Sequence, residues 1–419
     1  MISRYHLRCP GCSEIFVARV GVEPTSGTRF YLPCPHCDLP IRASMSGQEL
    51  ENHRISFECD VVNGADPDLA GALTVTVNPF VPSLYAADSY SPMGAFPTMT
   101  LVQLLGFESF EAFEAERHKS LLAIEQVWPN ARMLFQYLVN DNAKMFVRLA
   151  KDKFGLDWEP ATEHQRTSVA YQALGVATTA IVGTTGSRSS MIMARFAKKH
   201  TAAMRHKPHL LTFRERGALA KELERDVFTV VGRFVDDYES WEMGRLVRFA
   251  ESAAVSELDR LVLYRDEFSI VRDLYQQGFE LSCKCIWPLV AAQNTVKRGD
   301  PNAFGDVHPQ IVAVKFRPRT LSQFDKLPNA FKVAYAAQVP GWDSFTTLLS
   351  SQHRNTISHA TAHHDLRSGR IVSDKDPTGI SYLDFLGLTF GVFEALSVLM
   401  QALRAARVAS SRDFDLPSS

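Results

Sequence analysis

Two cysteine pairs constrain this chain more than any other feature. Cys9-Pro10-Gly11-Cys12 and Cys34-Pro35-His36-Cys37 each place two thiols on one tight turn, and 21 residues separate the pairs. Two such knuckles supply the four sulfurs of a tetrahedral site, which thiolates close around zinc. Four independent thiols or a redox-active pair are the alternatives, and twin pairs at this spacing argue against both. His36 is not needed as a fifth ligand. A closed four-sulfur site leaves no position for water, so the expected zinc is structural and not catalytic.

The spacer from Ser13 to Pro33 reads as strand, turn and strand. Ile15-Phe16-Val17 alternates with polar neighbours, Pro24-Thr25-Ser26-Gly27 is turn chemistry, and Phe30-Tyr31-Leu32 returns. Residues 1–54 are therefore expected to form a zinc ribbon. Arg4, Arg8, Arg19, Arg29 and Arg42 could bring it to nucleic acid, but Glu14, Glu23 and Asp38 nearly balance them, so a ribbon that clamps a protein partner is the other use. Cys59, Cys283 and Cys285 lack a pairing pattern. Cys283 and Cys285, two apart in an apolar helical stretch, point away from each other and read as core thiols.

From 55 to 108 the text is β-leaning. Ile55–Cys59 and Leu73–Val77 alternate apolar and polar, and prolines punctuate the linker that follows. After about Ser109 the period becomes helical, with strong helices expected over Ala218–Trp241, Met243–Leu263, Phe268–Val290 and Tyr382–Arg407. The expected fold is mainly α: a β zinc ribbon with a small β extension, then a large all-α region (109–309 and 310–408) and a disordered tail, 409–419. Net charge is −1, so any basic surface must be local. Phe385–Leu403 approaches membrane-helix length, but Glu394 at its centre is costly in lipid and favours a buried core helix. Met1–Tyr5 leads straight into the first knuckle with no apolar leader, and paired cysteines suit metal ligation, so a reducing cytoplasm is expected.

One stretch stands apart in charge. From Arg188 to Arg216 lie Arg195, Lys198, Lys199, His200, Arg205, His206, Lys207, His209 and Arg214, with no carboxylate before Glu215. It reads either as a solvated helix face or as a patch tracking an RNA backbone through Arg195, Lys198, Lys199, Arg205 and Lys207. Gly183–Ser190 lacks the Gly-Lys-Ser/Thr ending and the preceding strand of a phosphate loop, and no Gly-x-Ser-x-Gly elbow occurs.

The densest polar cluster is Ser350–Asp365, which holds four of the chain's 13 histidines. Asp343 is a good N-cap for a helix entering it. Arg354-Asn355-(x)3-His359 resembles the R-x4-6-H signature of HEPN domains, at the start of a late helix with an apolar helix behind it. The resemblance covers about 310–408 and implies metal-independent RNA cleavage by a homodimer, in a toxin-like or antiviral-defence setting. His359 would transfer protons, Arg354 would hold the phosphorane charge, and Asn355 would orient. A non-catalytic HEPN-like adaptor is the first alternative. The second is a metallohydrolase using His359, His363 and Asp365, although Ala360 stands where such enzymes carry their glutamate. On a continuous helix Asn355, His359 and His363 would share one face.

Overall fold

In the computed structural model, residues 1–47, 52–62, 71–84, 97–183, 186–250, 255–305, 317–339, 342, 346–349, 351–358 and 361–411 are described. The chain divides into two compact units. The first comprises Met1–Ala115, Asp237–Asp273 and Asn355–Phe390, and the second Glu116–Asp236, Leu274–Arg354 and Gly391–Ser419.

The first unit begins as two hairpins. β1 (Ile2–Arg8) pairs antiparallel with β2 (Ile15–Gly21), and β3 (Thr25–Pro33) pairs antiparallel with β4 (Pro40–Gly47). The short spacer between β2 and β3 does not form a hairpin of its own: the two strands lie in different sheets. β5 (Arg54–Phe57) extends the β3–β4 sheet, while β6 (Asp60–Val61) and β7 (Thr74–Val77) flank the β1–β2 pair, β7 running parallel to β2. Period-two alternation decides which face is buried. Phe16, Ala18 and Val20 point inward from β2, and Val75 and Val77 sit opposite Ala18 and Val20. Each such valine or phenylalanine contributes about 1.5–3 kcal/mol by leaving water.

The rest of the first unit departs from the helical pattern expected of it. Met243–Leu263 is not one helix. Glu242–Arg248 is a 3-10 segment, Val255–Leu258 a single turn, and β9 (Leu261–Val262) pairs with β8 (Ser83–Leu84). Gly244 accounts for part of this: a Cβ there would lie 2.1 Å from the Leu386 carbonyl oxygen, so this backbone packs directly on another backbone. The buried Arg245 next to it donates to the Tyr238 hydroxyl at 3.2 Å. Near the C-terminus, β10 (His363–Asp365), β11 (Arg370–Ser373) and β12 (Asp376–Ser381) form an antiparallel sheet. The chain after 109 is thus mostly helical but not all-α. Tight turns at Gly369 (φ 66°) and Gly379 (φ 55°), conformations that glycine adopts without strain, serve this small sheet.

The second unit is helical. Its helices include Trp128–Val139, Ala143–Phe154, Glu163–Val182, Gly186–Ala203, Lys207–Glu215, Gly217–Asp236 and Trp287–Arg298. Thr162 and Gln165 form a reciprocal capping box at the start of Glu163–Val182. The expected Phe268–Val290 helix is two, Phe268–Lys284 and Trp287–Arg298, because Pro288 cannot continue a helix but starts one well. Cys283 and Cys285 are fully buried beside this break, as core thiols. Asp343, the expected cap, and the expected tail beyond Ser411 fall outside the described residues, while Ser351–Ser358 is a helix within the polar cluster.

Tyr382–Ala409 is long and apolar enough to cross a membrane, yet 78% of its apolar window is buried within the protein. Near its end Arg407 binds the carboxylates of Glu224 at 3.2 Å and Glu163 at 3.1 Å, a buried cluster that would be costly to break singly. It is a core helix.

Candidate metal centre

Each cysteine pair is the turn that closes one hairpin, and the two turns are built alike. The Cys9 N–H donates to the Glu14 carbonyl at 3.0 Å and Ser13 N–H to the Cys9 carbonyl at 2.9 Å. Five and four residues along from Cys34 the same bonds recur, Cys34 N–H to Leu39 and Asp38 N–H to Cys34, both at 2.9 Å. Ser13 (φ 66°) and Asp38 (φ 61°) occupy the equivalent left-handed position in each turn. Gly11 adds an N–H bond to the Cys9 sulfur at 3.3 Å.

The four ligand atoms lie within 4.8 Å of one another. Cys9 Sγ is 3.6 Å from Cys37 Sγ, and Cys12 Sγ is 3.7 Å from Cys34 Sγ. A disulfide would bring sulfurs to about 2 Å. A tetrahedron with metal–sulfur bonds of ~2.3 Å has edges of about 3.8 Å, so these separations match a four-sulfur metal site. The electrostatics agree. Burial opposes ionisation of Cys9, but N–H donation from Cys12 and Gly11, aided by the neighbouring thiols, brings it down to about 7. Burial pushes Cys34 up. Four touching thiols cannot all become thiolates unless a cation joins them, and a metal ion provides that charge. Cys9 and Cys34 are buried and Cys37 is exposed, so the site lies at the tip of the hairpins. Cys59 stays outside the cluster, its thiol pushed up to about 11 by burial, Asp60 and Cys9.

The basic run divides by environment. Arg195, Lys198, Arg205 and Lys207 are exposed. Lys199 is half-buried and donates to Gln293 Oε1 at 2.8 Å. Its ammonium is pushed down to about 8 by burial, then by Lys297 and Arg195. Lys297 therefore belongs to the cationic cluster, and sequence reading missed it because it comes from another helix almost 100 positions on. His200 and His209 do not belong. His200 stacks on Phe196 and Phe213, and His209 is buried against Thr295 Oγ1 at 3.0 Å.

Of the motif residues, Arg354 and Asn355 lie on the helix Ser351–Ser358, and His359 falls outside the described residues. Asn355 is exposed. Arg354 is ion-paired with Glu280, which also accepts from Asn329 Nδ2 at 2.8 Å. Arg354, Glu280, Lys284, Gln276 and Gln277 line a surface cavity of about 420 Å³. His363 and Asp365 stand on β10, so His363 does not share a helical face with Asn355. Asp365 is occupied by its own turn, accepting from Ser368 Oγ at 2.7 Å and Arg367 N–H at 3.1 Å. Comparison with protein-family models, curated proteins and solved structures found no match to this chain.

Proposed function

We propose that this protein binds RNA, with a zinc ion in the four-sulfur site bracing the N-terminal hairpins and a cationic helical face meeting the phosphate backbone. The crowding of like charge around Lys199 carries the reading. Burial first, and then the nearby charges of Lys297 and Arg195, depress the protonation of Lys199, and Lys198 and Lys297 have no acidic partner among the described residues. A polyanion relieves that repulsion and releases its own counterions, which drives binding. Zinc suits the centre because thiolates are soft ligands and zinc takes the tetrahedral four-sulfur geometry without redox chemistry.

The test spares Lys199, whose bond to Gln293 is structural. Changing Lys198, Arg205 and Lys297 to Glu should weaken RNA binding, and the slope of log K against log salt should fall by roughly 0.7–0.9 for each phosphate no longer neutralised. An unchanged affinity and slope would leave these residues as a solvated face.

A second reading adds cleavage of HEPN type, and the position of Arg354 favours it. The motif arginine lines a surface cavity that also presents Lys284, so a phosphate there would meet two cations beside Asp226 and Glu280. In this reading His359 moves protons, Asn355 orients, and Arg354 leaves Glu280 for the phosphorane, with a second copy of the chain completing the site. The preference for RNA over DNA follows from this chemistry, since the 2′-hydroxyl is the attacking group and cationic side chains on phosphate do not distinguish the two.

A further inference from the structure

The first unit holds a second polar cavity, of about 710 Å³, which neither the metal centre nor the RNA reading uses. Its floor is one face of the β3–β4–β5 sheet. Register places Arg29 opposite Ser44, and Ser44 opposite Ser56, so these three form one row across the strands. In the next row Tyr31 faces Arg42, and the ladder continues through Glu58 N–H to the Arg42 carbonyl at 2.9 Å. Side chains two residues apart on a strand share a face, so both rows point the same way. Asp266, Phe268, Ser269 and His364 complete the wall.

The charges on this floor are not all internally matched. Arg42 is neutralised by Asp266, its Nε donating to Oδ2 at 2.8 Å. Neither the Arg29 guanidinium nor the Glu58 carboxylate has an ion-pair partner among the described residues, although both line the cavity. They stand at diagonal corners, two strand spacings or about 10 Å apart across the sheet. One row thus offers a permanent cation with two hydroxyls, and the next row ends in a free acceptor. The first turn of Phe268–Lys284 opens on the same space, and a helix start favours an anion. At the closed end the His364 ring stacks on Tyr382 at 4.5 Å and meets Tyr31 edge-on at 5.8 Å. Both its ring nitrogens are buried without a hydrogen-bond partner among the described residues, and burial pushes its pKa down to about 4. It is therefore neutral near pH 7 and adds no charge to this part of the cavity.

We propose that this cavity binds a hydroxylated phosphomonoester of nucleotide or sugar-phosphate size, with Arg29, Ser44 and Ser56 taking the phosphate and Glu58 accepting from the hydroxyls. The dimensions agree, since pockets for small ligands run to about 300–1,000 Å³. A simple anion would use the Arg29 corner and leave Glu58 unused. A neutral sugar would leave Arg29 unused.

Titration calorimetry of the full chain tests this with ribose 5-phosphate and inorganic phosphate as probes. Ribose 5-phosphate should bind at one site at least ~10-fold more tightly than inorganic phosphate, the factor one charge-assisted hydrogen bond supplies. Arg29→Gln should weaken both probes by about 10-fold or more, whereas Glu58→Gln should weaken the sugar phosphate alone. Ser56→Ala, a smaller change on the same floor, should weaken both probes modestly while leaving the melting curve unchanged. No binding of ribose 5-phosphate at millimolar concentration, equal affinity for the two probes, or affinity indifferent to Arg29→Gln would each overturn the assignment. RNA affinity should stay unaltered in Glu58→Gln, so this site and the cationic helical face succeed or fail separately.

Discussion

His200 stacks on two phenylalanine rings at centroid distances of 5.6 and 5.5 Å, and burial pushes its pKa down from 6.5 to about 4. The unfolded chain would carry an ordinary histidine there. Between pH 6.5 and 4 the unfolded state therefore binds more protons, and stability falls as pH falls through that window. The loss from this residue between pH 7 and pH 5 is about 2 kcal/mol. His209, pushed down to about 3, and His364, to about 4, act in the same direction. His200→Phe keeps the stack and removes the titration, so its urea-unfolding free energy should fall less between about pH 7 and pH 5 than that of the parent. An identical pH dependence would mean that the ring is hydrated and titrates normally. Sequence alone groups His200 and His209 with the lysines around them, because charge is legible in a string of letters and burial is not. Burial follows from packing: Phe196 and Phe213 stack on His200, and Phe213 in turn meets Trp287, which comes from another helix of the second unit.

Among the elements, the knuckles were legible and the breaks within Met243–Leu263 were not, for related reasons. A knuckle is a local object: four residues set the turn, and its two copies follow the same hydrogen-bond pattern wherever the neighbouring strands go. Helical periodicity is local too, but Gly244 lies against the backbone of Leu386, far along the chain, and the apolar pattern over 243–263 cannot report that approach. The turn residues after Val20 similarly suggest a β2–β3 hairpin, whereas each strand takes its partner through its own knuckle. Metal should hold these hairpins together. Purified protein should carry about one equivalent of zinc, and Cys34→Ser, at the more buried end of the site, should abolish it and lower the melting temperature, since structural zinc contributes on the order of 10 kcal/mol in small domains. Cys59→Ser should retain the full equivalent, because Cys59 stands beside the cluster without joining it. Elemental analysis with thermal melts checks both. Full stability without metal would mean that the hairpins stand on packing alone.

For the molecule as a whole, the polar stretch 350–365 reads in sequence as one site, and the structure divides it between the helix Ser351–Ser358 and β10. Polar letters give no sign of that division, since His363 and His364 fit a helix face as well as a strand. What survives is Arg354 in its cavity, already held by a carboxylate. Any phosphate must compete with Glu280 for the guanidinium, which gives the cleavage reading a signature that ordinary surface arginines lack. Glu280→Gln should tighten RNA binding because it frees the cation, while Arg354→Ala should weaken both binding and cleavage. His359→Ala should lower the cleavage rate by about 10²–10⁴ with RNA affinity preserved, the usual cost of losing a positioned acid or base. A chelator should leave the rate unchanged on the timescale over which the four-sulfur site keeps its metal, and the products should end in 2′,3′-cyclic or 3′-phosphates. His363→Ala should be mild, because His363 stands on β10 and not on the helix that carries Arg354. Cleavage that persists in His359→Ala would end the nuclease reading at this motif and leave RNA binding by the cationic face standing alone. An Arg354→Ala variant that matches the parent in affinity as well as rate would confine Arg354 to its pairing with Glu280.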